Sequence, residues 1–327
     1  MKKKIVPLLL VTALTTSLCA CSTGEKEDKK DSISISVEQT DPSQTEETDN
    51  GLDFDVEEQV LIDANGIRIT ATGLGINEYT GDYSLDLTVD NTTDTDLTIG
   101  FRSPDVSLSI GEGTYTYLNG FQVSSSAYIA VPAQSTAEDT CTLSKAVLDN
   151  AGITQIGEIE LAFSATDANY NECLDESQSI CTVRTTLESE MDTQLSEDLQ
   201  LVYDQNGIQI HAKYLPGETE DDKGCLIAVI RNNTGAGAQL RIKDVTVDGT
   251  PLTYSYSPDE DAFRYSIGGY YYENNGKAVC TATSFNAADT VPEITGSSSI
   301  SFSLDIGGPA SGDWSGMKTI GPLSVPI

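Results

Sequence analysis

The chain repeats itself, and a repeat constrains the fold more than any other feature here, because both copies must close the same apolar pattern in the same way. Asp63-Ala64-Asn65-Gly66-Ile67-Arg68-Ile69-Thr70-Ala71 returns 141 residues later as Asp204-Gln205-Asn206-Gly207-Ile208-Gln209-Ile210-His211-Ala212. At the same spacing Leu85, Leu87, Val89 and Asn91 recur as Leu226, Ala228, Ile230 and Asn232, and Ile159, Leu161 and Phe163 as Ile300, Phe302 and Leu304. Thr114-Tyr115-Thr116-Tyr117 matches Thr253-Tyr254-Ser255-Tyr256, and Cys141-Thr142 matches Cys280-Thr281, both at 139. Ile180, Val183 and Thr185 answer to Ile320, Leu323 and Val325 at 140. Ordered matches across whole segments predict two copies of one domain, residues 57–187 and 199–327, joined by an acidic linker at 188–198.

Within each copy apolar residues alternate, as at Ile67, Ile69 and Ala71, at Val106, Leu108 and Ile110, and at Ile159, Leu161 and Phe163. Period two predicts strands with one buried and one wet face. Asn65-Gly66 and Asn206-Gly207 supply the positive φ of a tight turn, so each copy is expected to open with a hairpin. About seven to nine short strands per copy, separated by turn residues, predict an all-β fold of two tandem antiparallel β-sandwiches. One helix is expected between Ser144, an N-cap candidate, and Gly152.

The other end of the chain gives an address. Met1-Lys2-Lys3-Lys4 precedes an uncharged run of 14 residues from Ile5 to Leu18, the order of a secretory signal. The run is too short for a permanent membrane span, which needs about 20 apolar residues. Leu18-Cys19-Ala20-Cys21-Ser22 resembles the lipobox read by bacterial lipoprotein signal peptidase. The resemblance implies cleavage after residue 20 and a lipid on the Cys21 sulfur; two or more acyl chains there make anchoring stable. Residues 21–56 then read as a lipidated, acidic tether, disordered to about Gly51 because it has almost no large apolar side chain to bury. Its r.m.s. reach is of order 30 Å.

The formal net charge is −33; the first 20 residues hold three lysines and no acid, so the chain beyond them carries −36. Such a surface repels nucleic acid and anionic headgroups, so neither is expected as a partner.

The N-G-I-x-I-x-A opening, the strand ending in Asn91 or Asn232, and the run from Ala151 to Phe163 are similar to uncharacterised immunoglobulin-like domains of Firmicutes surface lipoproteins, clostridial ones above all. The resemblance covers both copies. It implies an Ig-like sandwich on a Gram-positive cell, anchored in the membrane and facing outside, and it carries no catalytic residue. The second copy departs from the pattern between Phe285 and Thr295, which lacks the helix signature.

Chemistry-bearing residues are sparse. The single histidine, His211, falls on the wet phase of its strand, so no Ser-His-Asp, Cys-His or His-based zinc machinery is expected within the chain. Fifty-one acids make any close carboxylate pair uninformative. No catalytic residue, metal ligand or cofactor is assigned. Beyond the lipid site, Cys173 with Cys181 and Cys225 with Cys280 are the candidate disulfides, and Cys141 is left over; buried free thiols are the alternative. The loops Asp90–Asp96 and Asp259–Asp261 lack the glycine and terminal glutamate of an EF-hand and read as solvated turns. The aromatic group Phe263, Tyr265, Tyr270, Tyr271 and Tyr272, beside Gly268-Gly269 and Asn274-Asn275-Gly276, is the candidate ligand surface for a glycan or partner protein. The sequence therefore points to a non-enzymatic binding or scaffold lipoprotein. A carboxylate-based wall-glycan hydrolase and a Ca²⁺-stabilised adhesion module are the alternatives.

Overall fold

The structure, a computed structural model, describes residues 52–102, 115–191, 193–235, 237–254, 263–267, 276–307, 317–325 and 327. The first repeat contains β1 (Gln59–Ala64), β2 (Ile67–Ile76), β3 (Tyr83–Asn91), β4 (Leu97–Phe101), β5 (Thr116–Leu118), β6 (Phe121–Gln122), β7 (Ser125–Ser126), β8 (Ile129–Val131), β9 (Ser135–Leu143), β10 (Glu158–Thr166) and β11 (Ile180–Arg184). Two short helices accompany them, α1 (Ala146–Ala151) and α2 (Glu176–Ser179). The second repeat contains β12 (Gln200–Gln205), β13 (Ile208–Leu215), β14 (Cys225–Asn232), β15 (Ala238–Val247), β16 (Thr250–Pro251), β17 (Phe263–Ile267), β18 (Lys277–Ser284), β19 (Ile300–Gly307) and β20 (Lys318–Val325). The fold is an all-β, mainly antiparallel sandwich, as the alternation predicts.

Both repeats are built to one plan. β1 and β2 meet through Asn65 and Gly66 at φ 54° and 80°, and β12 and β13 through Asn206 and Gly207 at 55° and 77°, the left-handed pair of a type I′ turn. A β-bulge falls between Val60 and Ile62 in one copy and between Leu201 and Tyr203 in the other. The sheet β1-β2-β3-β9-β7 covers the β10 sheet and encloses one core with Ile69, Leu85, Leu87, Ile99, Leu161 and Phe163. In the second copy β12-β13-β14-β18 and β16-β15-β19-β20, with β17 beside β15, enclose Ile210, Ala228, Ile230, Leu240, Phe302 and Leu304.

The strand registers correct two of the sequence matches. Leu85 faces Cys141, and its counterpart Leu226 faces Thr283, so the structural partner of Cys141 is Thr283. Cys280 instead corresponds to Glu138, since Val229 and Thr88 occupy equivalent places opposite them. The sequence match had slipped by three residues, and an odd slip turns a side chain to the other face of the sheet. The last strand slipped by two: Ile159 faces Val183 and its counterpart Ile300 faces Val325, so Val183 matches Val325 rather than Leu323.

The boundaries also shift. Phe54 and Val56, placed in the tether by composition, are buried in the first core, and the Thr186 N–H donates to the Asp55 carbonyl at 2.9 Å. The expected linker is fastened too. Leu195 packs on the first core, the Ser196 N–H donates to the Ala151 carbonyl at 2.8 Å, and a 3₁₀ turn spans Glu188–Glu190. Helix α1 forms where expected and ends at Gly152, φ 81°, but its N-cap is Lys145, not Ser144, with no side-chain cap. Phe285–Ala287 of the second copy makes a 3₁₀ turn instead.

The two copies are not beads on a string. All the described residues belong to one compact unit. β6 of the first repeat pairs in parallel with β18 of the second, through Phe121 with Ala278 and Gln122 with Val279, which fuses sheets of both copies into one of ten strands. Strand β14, and β18 from Ala278 to Cys280, are consequently apolar on both faces. Leu226, Ala228, Ile230 and Val279 point into the second core, while Ile227, Val229, Ala278 and Cys280 belong to the first. Helix α1 packs on β18 from the first-repeat side.

Candidate functional site at the seam between the repeats

The richest chemistry among the described residues lies where β6 meets β18. β10 alternates, so its inward residues Ile159, Leu161 and Phe163 fill the first core while Glu158 and Glu160 emerge on the opposite face. Strand β5 beside it brings Tyr117, whose register partner is Glu160. The tight Asn119-Gly120 turn, φ 50° and 80°, then returns the chain as β6 and sets Phe121 at the junction. From the second repeat, Gly276 at φ 87° delivers Lys277 as the first residue of β18.

These pieces converge. The Lys277 ammonium contacts the Glu160 carboxylate, with side chains 13% and 8% exposed, and stands 5.0 Å from the centre of the Tyr117 ring. The Arg231 guanidinium lies 5.4 Å from the centre of the Phe121 ring and donates to the Gly276 carbonyl at 3.4 Å. The Ala278 N–H donates to the Gly120 carbonyl at 2.8 Å. Tyr115 and Tyr117, both 1% exposed, meet edge to face at 5.2 Å. Burial pushes the Lys277 ammonium down to about 8, against an opposing pull from the Glu158 carboxylate. The Gln122 side-chain carbonyl is buried at this seam without a hydrogen-bond partner among the described residues.

Other clusters are closed on themselves. On the outer face of the β15-β19-β20 sheet, Asp305 accepts from Arg241 at 2.6 and 3.2 Å and from Thr319 at 2.6 Å, and pairs with Lys243 at 3.0 Å. Burial pushes its carboxyl up, and the bonds from Thr319, Arg241 and Lys243 outweigh that and hold it below the usual range. A shallow recess of about 400 Å³ is lined by Asp63, Arg68, Asp90, Gln134 and Thr136. There Thr136 donates to Asp90 at 2.6 Å and Gln134 to the Thr92 carbonyl at 2.6 Å. The Asp90–Asp96 loop is organised by Asn91, which accepts from the Thr93 N–H and hydroxyl at 3.0 and 2.7 Å. Among the described residues no group of three or more His, Cys, Asp or Glu side chains is arranged to hold a metal ion.

The expected disulfides do not form: Cys141, Cys173, Cys181, Cys225 and Cys280 are all free thiols. The reason is register. Cys181 lies opposite Leu161 whereas the Cys173 N–H bonds to Ala165, four residues further along β10. Cys280 lies opposite Val229 whereas Cys225 is four residues away on β14. Four strand residues span about 13 Å, and a disulfide needs Cα atoms within about 7 Å. Burial pushes Cys181 and Cys280 each up to about 12, which keeps them protonated and unreactive. His211 is half-buried; burial, then the Arg231 charge, hold its imidazole below the usual range.

Of the sequence-derived ligand surface, Phe263 and Tyr265 lie on β17, opposite Ile242 and Leu240 of β15. Tyr270, Tyr271 and Tyr272 lie outside the described residues, as do Cys21, the Val106–Ile110 segment and the Asp259–Asp261 loop. The seam itself was not anticipated, although a signal for it exists. Leu226-Ile227-Ala228-Val229-Ile230 is continuously apolar where the first copy alternates as Leu85-Asp86-Leu87-Thr88-Val89, the mark of a strand buried on both faces.

No family model matches the chain, and no curated protein does. Of the solved structures, 23 chains match. One is red sea bream transglutaminase, 12% identical, with a TM-score of 0.18 and an alignment covering 77% of this chain and 29% of that one. The chain thus spans under a third of that protein, and a likeness at this score defines neither its fold nor its activity. No helix among the described residues is long and apolar enough to cross a membrane.

Proposed function

We propose that this is a lipid-anchored protein on the outer face of a bacterial membrane, in which two Ig-like repeats joined as one body bind or scaffold an extracellular protein or glycan without catalysing a reaction. The observation that carries the reading is the seam: the apolar outer face of β14 and β18 is used to join the copies, so the described residues form a single compact unit. Its broad outer surfaces are polar, as on β3 and β9, where Asp86, Thr88, Glu138 and Thr140 face solvent. The lipobox around Cys21 and the acidic tether supply the attachment and the standoff. The aromatic run Tyr270–Tyr272, which precedes Lys277 by a few residues, is the ligand surface we favour.

Crosslinking and pull-down on intact cells, comparing wild type with Tyr270, Tyr271 and Tyr272 all changed to Ala, tests the binding surface. Loss of specific partners is expected, and an unchanged partner list discards that surface. Mass spectrometry of the mature N-terminus tests the anchor: diacylglyceryl-Cys21 is expected, and a free Cys21 thiol contradicts it.

A further inference from the structure

We propose that Lys277 and Glu160 condense to an amide that joins the two repeats covalently. The pair is placed for it. The Lys277 Nζ touches the Glu160 carboxylate, the side chains are 13% and 8% exposed, and Tyr117 covers the ammonium at 5.0 Å. Glu158, two residues before Glu160 on the same face of β10, is close enough for its charge to act on Lys277. Lys277 opens β18 and Glu160 lies inside β10, so both are held by strand ladders and the reacting atoms have no large search to make.

Burial also supplies the reactive form. A charged pair taken out of water pays a desolvation cost on both ions. Moving one proton from the ammonium to the carboxylate leaves a neutral amine against a carboxylic acid, and burial already pushes Lys277 down to about 8. A neutral lysine amine is a nucleophile. Its Nζ bonds to the Glu160 Cδ, the carboxyl C–OH bond breaks, and the proton released by nitrogen passes to the departing hydroxyl. One water leaves, and nothing is oxidised or reduced. The product is neutral, so the desolvation cost of the buried pair is removed, and the short parallel contact of β6 with β18 gains a covalent fastening.

The full chain, isolated from cells and digested with trypsin, decides the matter independently of the anchor and of any partner. The expected species is the Ala146–Arg184 peptide joined through Glu160 to Tyr265–Lys318 uncut at Lys277, lighter than the two together by one water. Lys277→Arg and Glu160→Ala are each expected to abolish it. Separate peptides with cleavage at Lys277 in the folded wild type overturn the proposal. So does a link that survives in Glu160→Ala, which would make Glu158 the acceptor.

Discussion

Asn91 and Asn232 end the third strand of each repeat, and both are buried despite their polarity. Each side-chain oxygen takes the N–H and hydroxyl of the threonine two residues on, Thr93 or Thr234, at 3.0 and 2.7 Å. The Asn91 amide also donates to the carbonyls of Thr95, Val131 and Pro132. Asn91→Ala strands buried carbonyls, and a loss of about 2–3 kcal/mol is expected in urea denaturation. The repeated asparagine is visible in the sequence; its use as a turn organiser rather than a Ca²⁺ ligand needs the hydrogen bonds. His211 gives a second test at this scale. Its folded pKa lies below the unfolded value of about 6.5, so the unfolded chain binds more protons in that window. Stability is therefore expected to rise with pH up to about 6.5, and His211→Gln to flatten that slope. Proton NMR of the lone imidazole should report a pKa below the free value.

Strands β9 and β18 show what patterning can and cannot carry. Alternation identifies both as strands, and Cys141 and Cys280 look equivalent because each precedes a threonine. The register separates them: Cys141 faces its own core, while Cys280 faces the core of the other repeat. Pairing registers depend on the neighbouring strand, and a single segment does not contain that information. Edges of elements were hidden for the same reason, since Phe54 and Val56 are buried where Phe54 meets the Tyr83 ring of β3 and the Asp55 carbonyl accepts from the Thr186 N–H. Helix α1 is where local signals suffice for the presence and the end of an element, though not for its N-cap. Its terminal Gly152 has φ 81°, and a Cβ there would meet the Ser196 Cβ at 2.8 Å. Gly152→Ala is expected to destabilise by more than about 1 kcal/mol, read as a lower urea midpoint, and to loosen the fastened linker. On β14, Val229→Lys puts a charge into the seam while its first-copy counterpart Thr88→Lys changes a surface position. The first is expected to cost several kcal/mol, the second within about 0.5.

For the whole molecule, the all-β character and the spacing of the repeated segments were legible, and the joining of the sheets was not. Periodicity and the repeat spacing report how each copy buries its own core, whereas the fused sheet arises from faces that differ between the copies: Asp86 and Thr88 in one, Ile227 and Val229 in the other. The first copy ends the array with a wet face, and the second is completed by its neighbour. Native-state hydrogen exchange in rising urea tests this dependence most directly, by following amides of β2 and β3 alongside those of β13 and β14. Shared burial predicts that the most protected amides of both repeats open with one common free energy and one urea slope. Exchange of the second repeat through an opening of its own, with the first still protected and the β14–β18 face exposed, would contradict it.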